Sequence, residues 1–335
     1  MATVANTNVI TPEGILRDLN QWWKDLAQSE AEANPTPTDD PHPKTGGLLK
    51  ACAMTFVVAA QSEVDARAAH ETVGLLMHDH PSRAILLHPT QDPDLKATIF
   101  SECWQPFGKR QQICADGIEI AAGAKGFEEV SRFIVPLRVP DLPVVLWCRG
   151  SAPPETNAFH DLFGLADKII FDSATTTDAD EALRGLRRLH AYGYRVADLH
   201  WTRLTGWREA VAHVFDDGLK AADIRSARVT YGGDQMTTCA RYFEAWVRTS
   251  LPTARVAIEP EIADHPGLYS LTLGTRSGDI VISLCKDNML EITGEIGGVN
   301  RQYRTALPAN AEDAMMREEL GILGADPIYE RVLNA

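Results

Sequence analysis

Residues 143–149 read Pro-Val-Val-Leu-Trp-Cys-Arg (PVVLWCR), with no polar alternation before Cys148. A strand with one solvated face alternates polar and apolar side chains, whereas a strand covered on both faces has no reason to. The stretch therefore predicts an inner strand with helices on both sides. Upstream, the apolar run 51–60 (ACAMTFVVAA) ends at Ser62, with Asp65 three residues on, which predicts a capped helix through about Met77. Further strands are expected at 84–88, 95–104 and 110–122. A helix marked by Phe127, Val130, Ile134 and Leu137, interrupted by Pro136, then leads into 143–149. Downstream, a short helix at 155–165, a strand at 168–172 (KIIFD), a helix at 178–191 and another near 205–216 continue the alternation. This order predicts an α/β domain over 48–220, with a largely parallel sheet flanked by helices.

Either side of this block the texture changes. Ile15, Leu16, Leu19, Trp22, Trp23 and Leu26 recur at helical spacing after Thr11 and Pro12, so residues 1–33 are expected to carry an amphipathic helix. Residues 34–47 (NPTPTDDPHPKTGG) read as a linker or loop that isolates this helix. After Asp216-Asp217-Gly218, strands at 226–231, 254–258, 268–274, 279–285 and 288–293 are closely spaced, with a helix around Cys239, Phe243 and Trp246. A smaller α+β domain is expected over 221–335, with the boundary near 218–224 and two helices after 309.

The chain has 335 residues, 44% hydrophobic and 23% charged, which excludes fibrous and fully disordered classes. Its formal net charge of −14 argues against nucleic acid and anionic membrane surfaces as partners. No apolar run reaches the ~18 residues of a membrane span. The first residues, MATVANTNVITPEG, lack a basic then apolar leader. Six scattered cysteines without a C-x-x-C are expected to be reduced thiols in a cytoplasmic protein, with no zinc site.

Glycine is absent from the first strand-to-helix junction, VVAAQSEVDARA, where a dinucleotide fold needs close backbone approach to a pyrophosphate. No P-loop, G-x-S-x-G or H-E-x-x-H string is present either, so no catalytic residue, cofactor or metal is assigned. His78-Asp79-His80 could supply metal ligands, though Pro81 makes a helix-ending turn the simpler reading, and Ser82 and Arg83 beside it could hold an anion. Arg149 and Ser151 follow one strand and Asp172 and Ser173 another; with Arg83 they form a candidate ligand crevice at strand ends. Polar residues gather at strand ends in any case. Arg184, Arg187 and Arg188 read either as the wet face of a helix or as a phosphate or acidic-partner patch. Trp201, Arg203, Trp207 and Arg208 are candidate partner-binding residues, because Trp and Arg dominate interface energetics; Trp207 also shares a helical face with Val211 and Val214 and so reads as core.

The strings HPSR (80–83), PLRVPDLPVVLWCRG (136–150), ADKIIFDS (166–173) and DLHWTRLTGWREAVAHVFD (198–216) together resemble the OpcA family, the glucose-6-phosphate dehydrogenase assembly proteins. The resemblance is dense from about 78 to 216 and sparse beyond 218. It departs from the family string at Cys148, where a second Trp more often follows Trp147. It implies a non-catalytic partner that assembles or allosterically activates glucose-6-phosphate dehydrogenase in the oxidative pentose phosphate pathway. It supplies no catalytic residues. The competing expectation is an enzyme or sensor that binds a phosphorylated sugar at the strand-end crevice.

Overall fold

A computed structural model describes residues 3–4, 10–33, 48–92, 94–106, 111–123, 130–150, 160–176, 178–233, 235–261, 267–308 and 310–335. Two compact units are present, one ending at Phe171 and one beginning at Asp172. The linker expected at 34–47 and the start of the helix expected at 155–165 lie outside the described residues.

The first unit is built on strands β1 (Thr3–Val4), β2 (Leu48–Lys50), β3 (Met54–Ala60), β4 (Ser82–Pro89), β5 (Lys96–Trp104), β6 (Gln112–Ala122), β7 (Val144–Arg149) and β8 (Lys168–Phe171). They lie in the order β1-β5-β6-β4-β3-β7-β8, with β2 also pairing to β6. Pairings among β2, β3, β4, β6, β7 and β8 are parallel; the antiparallel ones are confined to β5 and β1. All of β3 and Val144 to Cys148 of β7 are buried, as a two-sided cover requires. Phe56 on β3 stacks on Trp147 of β7 with ring centroids 6.2 Å apart. Phe100 of β5 lies over Gly117 of β6, where a Cβ would stand 2.0 Å from the ring. Only glycine fits under that aromatic.

Helices α1 (Pro12–Ala33), α2 (Glu63–Leu76), α3 (Ser131–Leu137) and α4 (His160–Phe163) complete the unit. Thr11 caps α1 by accepting from the Gly14 amide at 3.1 Å, and Ser62 caps α2 by accepting from the Asp65 amide at 3.1 Å. The expectation that α1 stands apart is corrected. Its Ile15 and Leu19 are buried, and Trp23 Nε1 donates to Asp116 Oδ2 at 3.0 Å. An amphipathic helix buries its apolar stripe against whatever sheet or helix it can reach. The expectation of uniformly reduced thiols is also corrected. Cys103 and Cys114 face each other across the β5–β6 ladder and form a disulfide. Directly opposed residues bring their Cβ atoms within bridging range, a placement set by register rather than by sequence spacing.

The second unit opens with α5 (Ala179–Ala191), the short strand β9 (Val196–Asp198), α6 (Leu199–Thr202) and α7 (Thr205–Asp216). A second sheet follows, from β10 (Ser226–Gly232), β11 (Arg255–Glu261), β12 (Gly267–Gly274), β13 (Asp279–Leu284), β14 (Met289–Ile296) and β15 (Val299–Ala306), in the order β11-β10-β12-β13-β14-β15. Helix α8 (Thr238–Ser250) joins β10 to its parallel neighbour β11, and β12 to β15 form an antiparallel meander. The chain closes with α9 (Glu312–Gly321) and α10 (Pro327–Leu333). The expected change of texture at 218–224 falls inside this unit. Helices α5 to α7 belong to it because they pack on α8, with Trp207 and Phe243 centroids 5.7 Å apart.

Candidate functional site

In the first unit, the connection through α2 carries the chain from β3 to β4, while α3 leads to β7 on the opposite side of β3. The carboxyl ends of β3 and β7 therefore flank the switch point, where open α/β sheets hold ligands. Arg149 ends β7 there. Its Nη1 donates to Asp65 Oδ1 at 2.7 Å and to the Asp65 carbonyl at 3.2 Å. Ser62 Oγ donates to the other carboxylate oxygen at 2.7 Å. Gly150, at φ 72°, brings the backbone so close that a Cβ would stand 2.9 Å from Asp65 Oδ2. With Glu63 also in the first turn, two carboxylates occupy the positive end of α2. A pyrophosphate would meet like charge where a dinucleotide fold offers bare amides.

Arg83 does not join Arg149. It sits at the amino end of β4, where Nε and Nη2 clamp Asp116 at 2.9 and 3.1 Å and Nη1 donates to the Leu137 carbonyl at 3.3 Å. Lys50 also pairs with Asp116. Burial works against charge on Asp116, but the hydrogen bonds and charges of Arg83 and Lys50 prevail and hold its carboxyl below the usual carboxylate range. His78 stacks on Trp104 with centroids 4.9 Å apart, and the described residues contain no cluster suited to a metal ion. Ser151 lies outside the described residues.

Asp172 and Ser173 belong to the second unit, where a buried polar cluster forms around Asp198. Asp198 ends β9 and caps α6. Its Oδ1 accepts from the His200 amide at 3.0 Å and the Ser173 amide at 2.9 Å, and its Oδ2 accepts from Tyr242 at 2.9 Å. Asp172 caps the turn at 173–175 and receives Arg203 through two bonds of 2.7 and 2.8 Å. Ser173 Oγ lies 3.1 Å from His200 Nδ1. A serine beside an imidazole resembles a nucleophile with its base. Here Ser173 has no exposed surface, and the carboxylate of Asp198 holds backbone amides and a tyrosine rather than the imidazole. The cluster latches 172–175 to α6. Burial pushes the Asp198 carboxyl up and pushes the His200 imidazole down, each opposed by the other's charge.

The aromatic residues of 198–208 pack inward. Trp201 and Trp207 are 2% and 4% exposed. Trp201 packs against Tyr242 and Tyr329 and donates to Asp326 Oδ2 at 3.3 Å, while the Arg208 guanidinium lies 3.9 Å from its ring centroid. Arg203 and Arg208 remain half-buried. Asp65, Asp116, Tyr242 and Tyr329 complete these networks without having been singled out by sequence, apart from Asp65 as a cap. Isolated carboxylates and tyrosines carry no motif.

Two family models cover most of the chain. The model of the N-terminal domain of the glucose-6-phosphate dehydrogenase subunit matches residues 74–188, and the model of the C-terminal domain of that subunit matches residues 194–333. The chain belongs to the OpcA family. A Nostoc punctiforme protein, provisionally named OxPP cycle protein OpcA, is 28% identical over 193 residues, covering 56% of this chain and 41% of the relative. A Synechocystis protein of the same provisional name is 26% identical over 294 residues, covering 75% of this chain and 62% of the relative. This chain thus spans less than two thirds of either relative. Among solved structures, the 3-ketoreductase KijD10 of Actinomadura kijaniata, in complex with NADP, aligns with TM-score 0.48 and 9% identity over 83% of this chain and 93% of that one.

Proposed function

We propose that the protein is a non-catalytic partner of glucose-6-phosphate dehydrogenase that promotes its assembly or activity in the oxidative pentose phosphate pathway of the cytoplasm. The observation that carries this reading is the paired match to the two family domains, in chain order, over 74–188 and 194–333. The occupied switch point of the first unit supports it. Asp65, Glu63 and the Arg149 clamp stand where a nicotinamide enzyme would receive its cofactor phosphates. Within 198–208, Trp201 and Trp207 belong to the core, so a partner meeting this segment would contact Arg203 and Arg208.

The decisive experiment titrates the cognate dehydrogenase with this protein and follows its substrate saturation curve. Activation or a lowered apparent substrate requirement is expected. An unchanged curve at saturating protein, with no complex by sedimentation, would rule the reading out.

A further inference from the structure

We propose that a cavity on the second unit binds a small phosphate ester with a hydroxylated body. The cavity has a volume of about 610 Å³, within the ~300–1,000 Å³ typical of small-ligand sites. Helix α5 lines it with Asp180, Arg184 and Arg187, and α8 with Arg241, Glu244 and Arg248. Spacings of three and four residues place each trio on one helix face. Four guanidinium groups thus stand against two side-chain carboxylates, in a chain whose net charge is −14. Such local reversal of sign concentrates anions.

Two of the arginines are already engaged. Arg248 pairs with Glu244 at 2.9 Å, and Arg187 donates to the backbone oxygens of Leu333 and Ala335. Arg241 is ion-paired with Asp180 without a hydrogen bond, which leaves Arg184, exposed, as the arginine of the four with no ion-pair or hydrogen-bond partner among the described residues. Arg241 Nε lies 3.3 Å from Asp180 Oδ1 in a geometry that makes no hydrogen bond, and that buried nitrogen has no other acceptor. The Arg241 side chain as a whole keeps 38% of its surface exposed, so its guanidinium is reachable from the cavity even though Nε itself is covered. The guanidinium fork matches two phosphate oxygens at once.

A second cavity of about 440 Å³ shares Asp180 and Arg241 with the first and adds Asp178 and Gln235. Its carboxylates and amide suit hydroxyl groups rather than a second phosphate. The ligand class that fits both is therefore a phosphate held by Arg184 and Arg241, with a polar body reaching toward Gln235. The concave, polar lining favours a small molecule over an acidic protein segment. This assignment is independent of the dehydrogenase role.

Binding is measured on the full chain alone by calorimetry at low ionic strength. The probes are glucose 6-phosphate, inorganic phosphate and glucose. Saturable binding of glucose 6-phosphate is expected, at least tenfold tighter than phosphate, with none of glucose. Arg184→Ala and Arg241→Gln should each weaken it about tenfold, with wild-type unfolding midpoints. Arg184 is exposed and unpartnered, so its substitution decides the matter even where Arg241→Gln disturbs the fold. Binding insensitive to Arg184→Ala, phosphate binding as tight as the ester, or no binding of either up to ~10 mM, equivalent to less than about 3 kcal/mol, would overturn the assignment.

Discussion

Asp116 has 1% of its surface exposed, and three groups converge on it: the Arg83 guanidinium, the Lys50 ammonium and the Trp23 indole. Removing one partner of such a buried pair leaves an uncompensated charge, so Asp116→Ala is expected to cost about 3–5 kcal/mol of stability, measured by denaturant unfolding. Trp201→Ala should cost a similar ~3–5 kcal/mol, because the indole is packed between two tyrosines and bonded to Asp326. Arg208→Ala tests the partner role more cleanly, since Arg208 keeps a half-exposed edge beside that indole. A selective loss of dehydrogenase activation, with the unfolding midpoint unchanged, would place the interface there; full activation would place it elsewhere. Two histidines give opposite pH signatures. Burial lowers His200 below its ordinary value, so its contribution to stability is present above about pH 6.5 and is lost as pH falls through that region. Burial also opposes charge on His88, but Glu119 at 3.0 Å and the Pro89 carbonyl prevail and raise it, so its contribution is present below about 6.5 and is lost as pH rises through the folded value. Stability curves of His200→Gln and His88→Gln should therefore diverge from wild type in opposite directions between about pH 5.5 and 7.5. Parallel curves would show that neither imidazole titrates with folding.

Strand β6 illustrates what register adds beyond composition. Its 11 residues pair with β5 along one edge and with β2 and β4 along the other, and only that alignment sets Cys114 opposite Cys103. The two cysteines are 11 residues apart in sequence, a loop whose closure is worth up to about 3 kcal/mol. Reduction, or a Cys103→Ser and Cys114→Ser pair, is expected to lower the unfolding free energy of the first unit by that order while the far-ultraviolet spectrum is retained. No change in stability on reduction would show that the bridge is not formed in solution. The same element marks the limits of sequence reading. Buried parallel strands announce themselves, because two-sided cover leaves unbroken apolar runs such as MTFVVAA and VVLWC. Helix caps at Thr11 and Ser62 are equally local signals. Strand β15 escaped, since Val-Asn-Arg-Gln-Tyr-Arg-Thr-Ala has few apolar residues and all its side chains remain exposed or half-buried at a sheet edge. The arginine-lined cavity was half legible. Arg184 and Arg187 crowd one helix in the sequence, whereas Arg241 and Arg248 lie on a helix whose aromatic stripe dominates the pattern, and only folding brings the two faces together.

At the scale of the whole molecule, the switch point of the first unit's parallel sheet is filled by the chain's own side chains. The junction after β3 runs Gln-Ser-Glu-Val-Asp without glycine, so the backbone cannot approach a pyrophosphate closely, and Asp65 and Glu63 place negative charge at the α2 terminus. Arg149 at the switch point is held by Asp65 through its carboxylate and its carbonyl. Repulsion between a diphosphate and two carboxylates within about 5 Å would cost several kcal/mol in a partly desolvated site. The isolated protein is therefore expected to show neither saturable NADP(H) binding by fluorescence up to millimolar concentrations nor cofactor turnover with sugar phosphates. Asp65→Ser alone should not restore binding, because the glycine-free turn would remain. Cofactor reduction should appear only when the dehydrogenase is added, and it should then scale with complex formed rather than with this protein alone. Turnover by the purified chain that disappeared on Arg149→Ala would invert the reading: Arg149 would then be a cofactor ligand, and the Asp65 clamp a resting arrangement that the cofactor displaces.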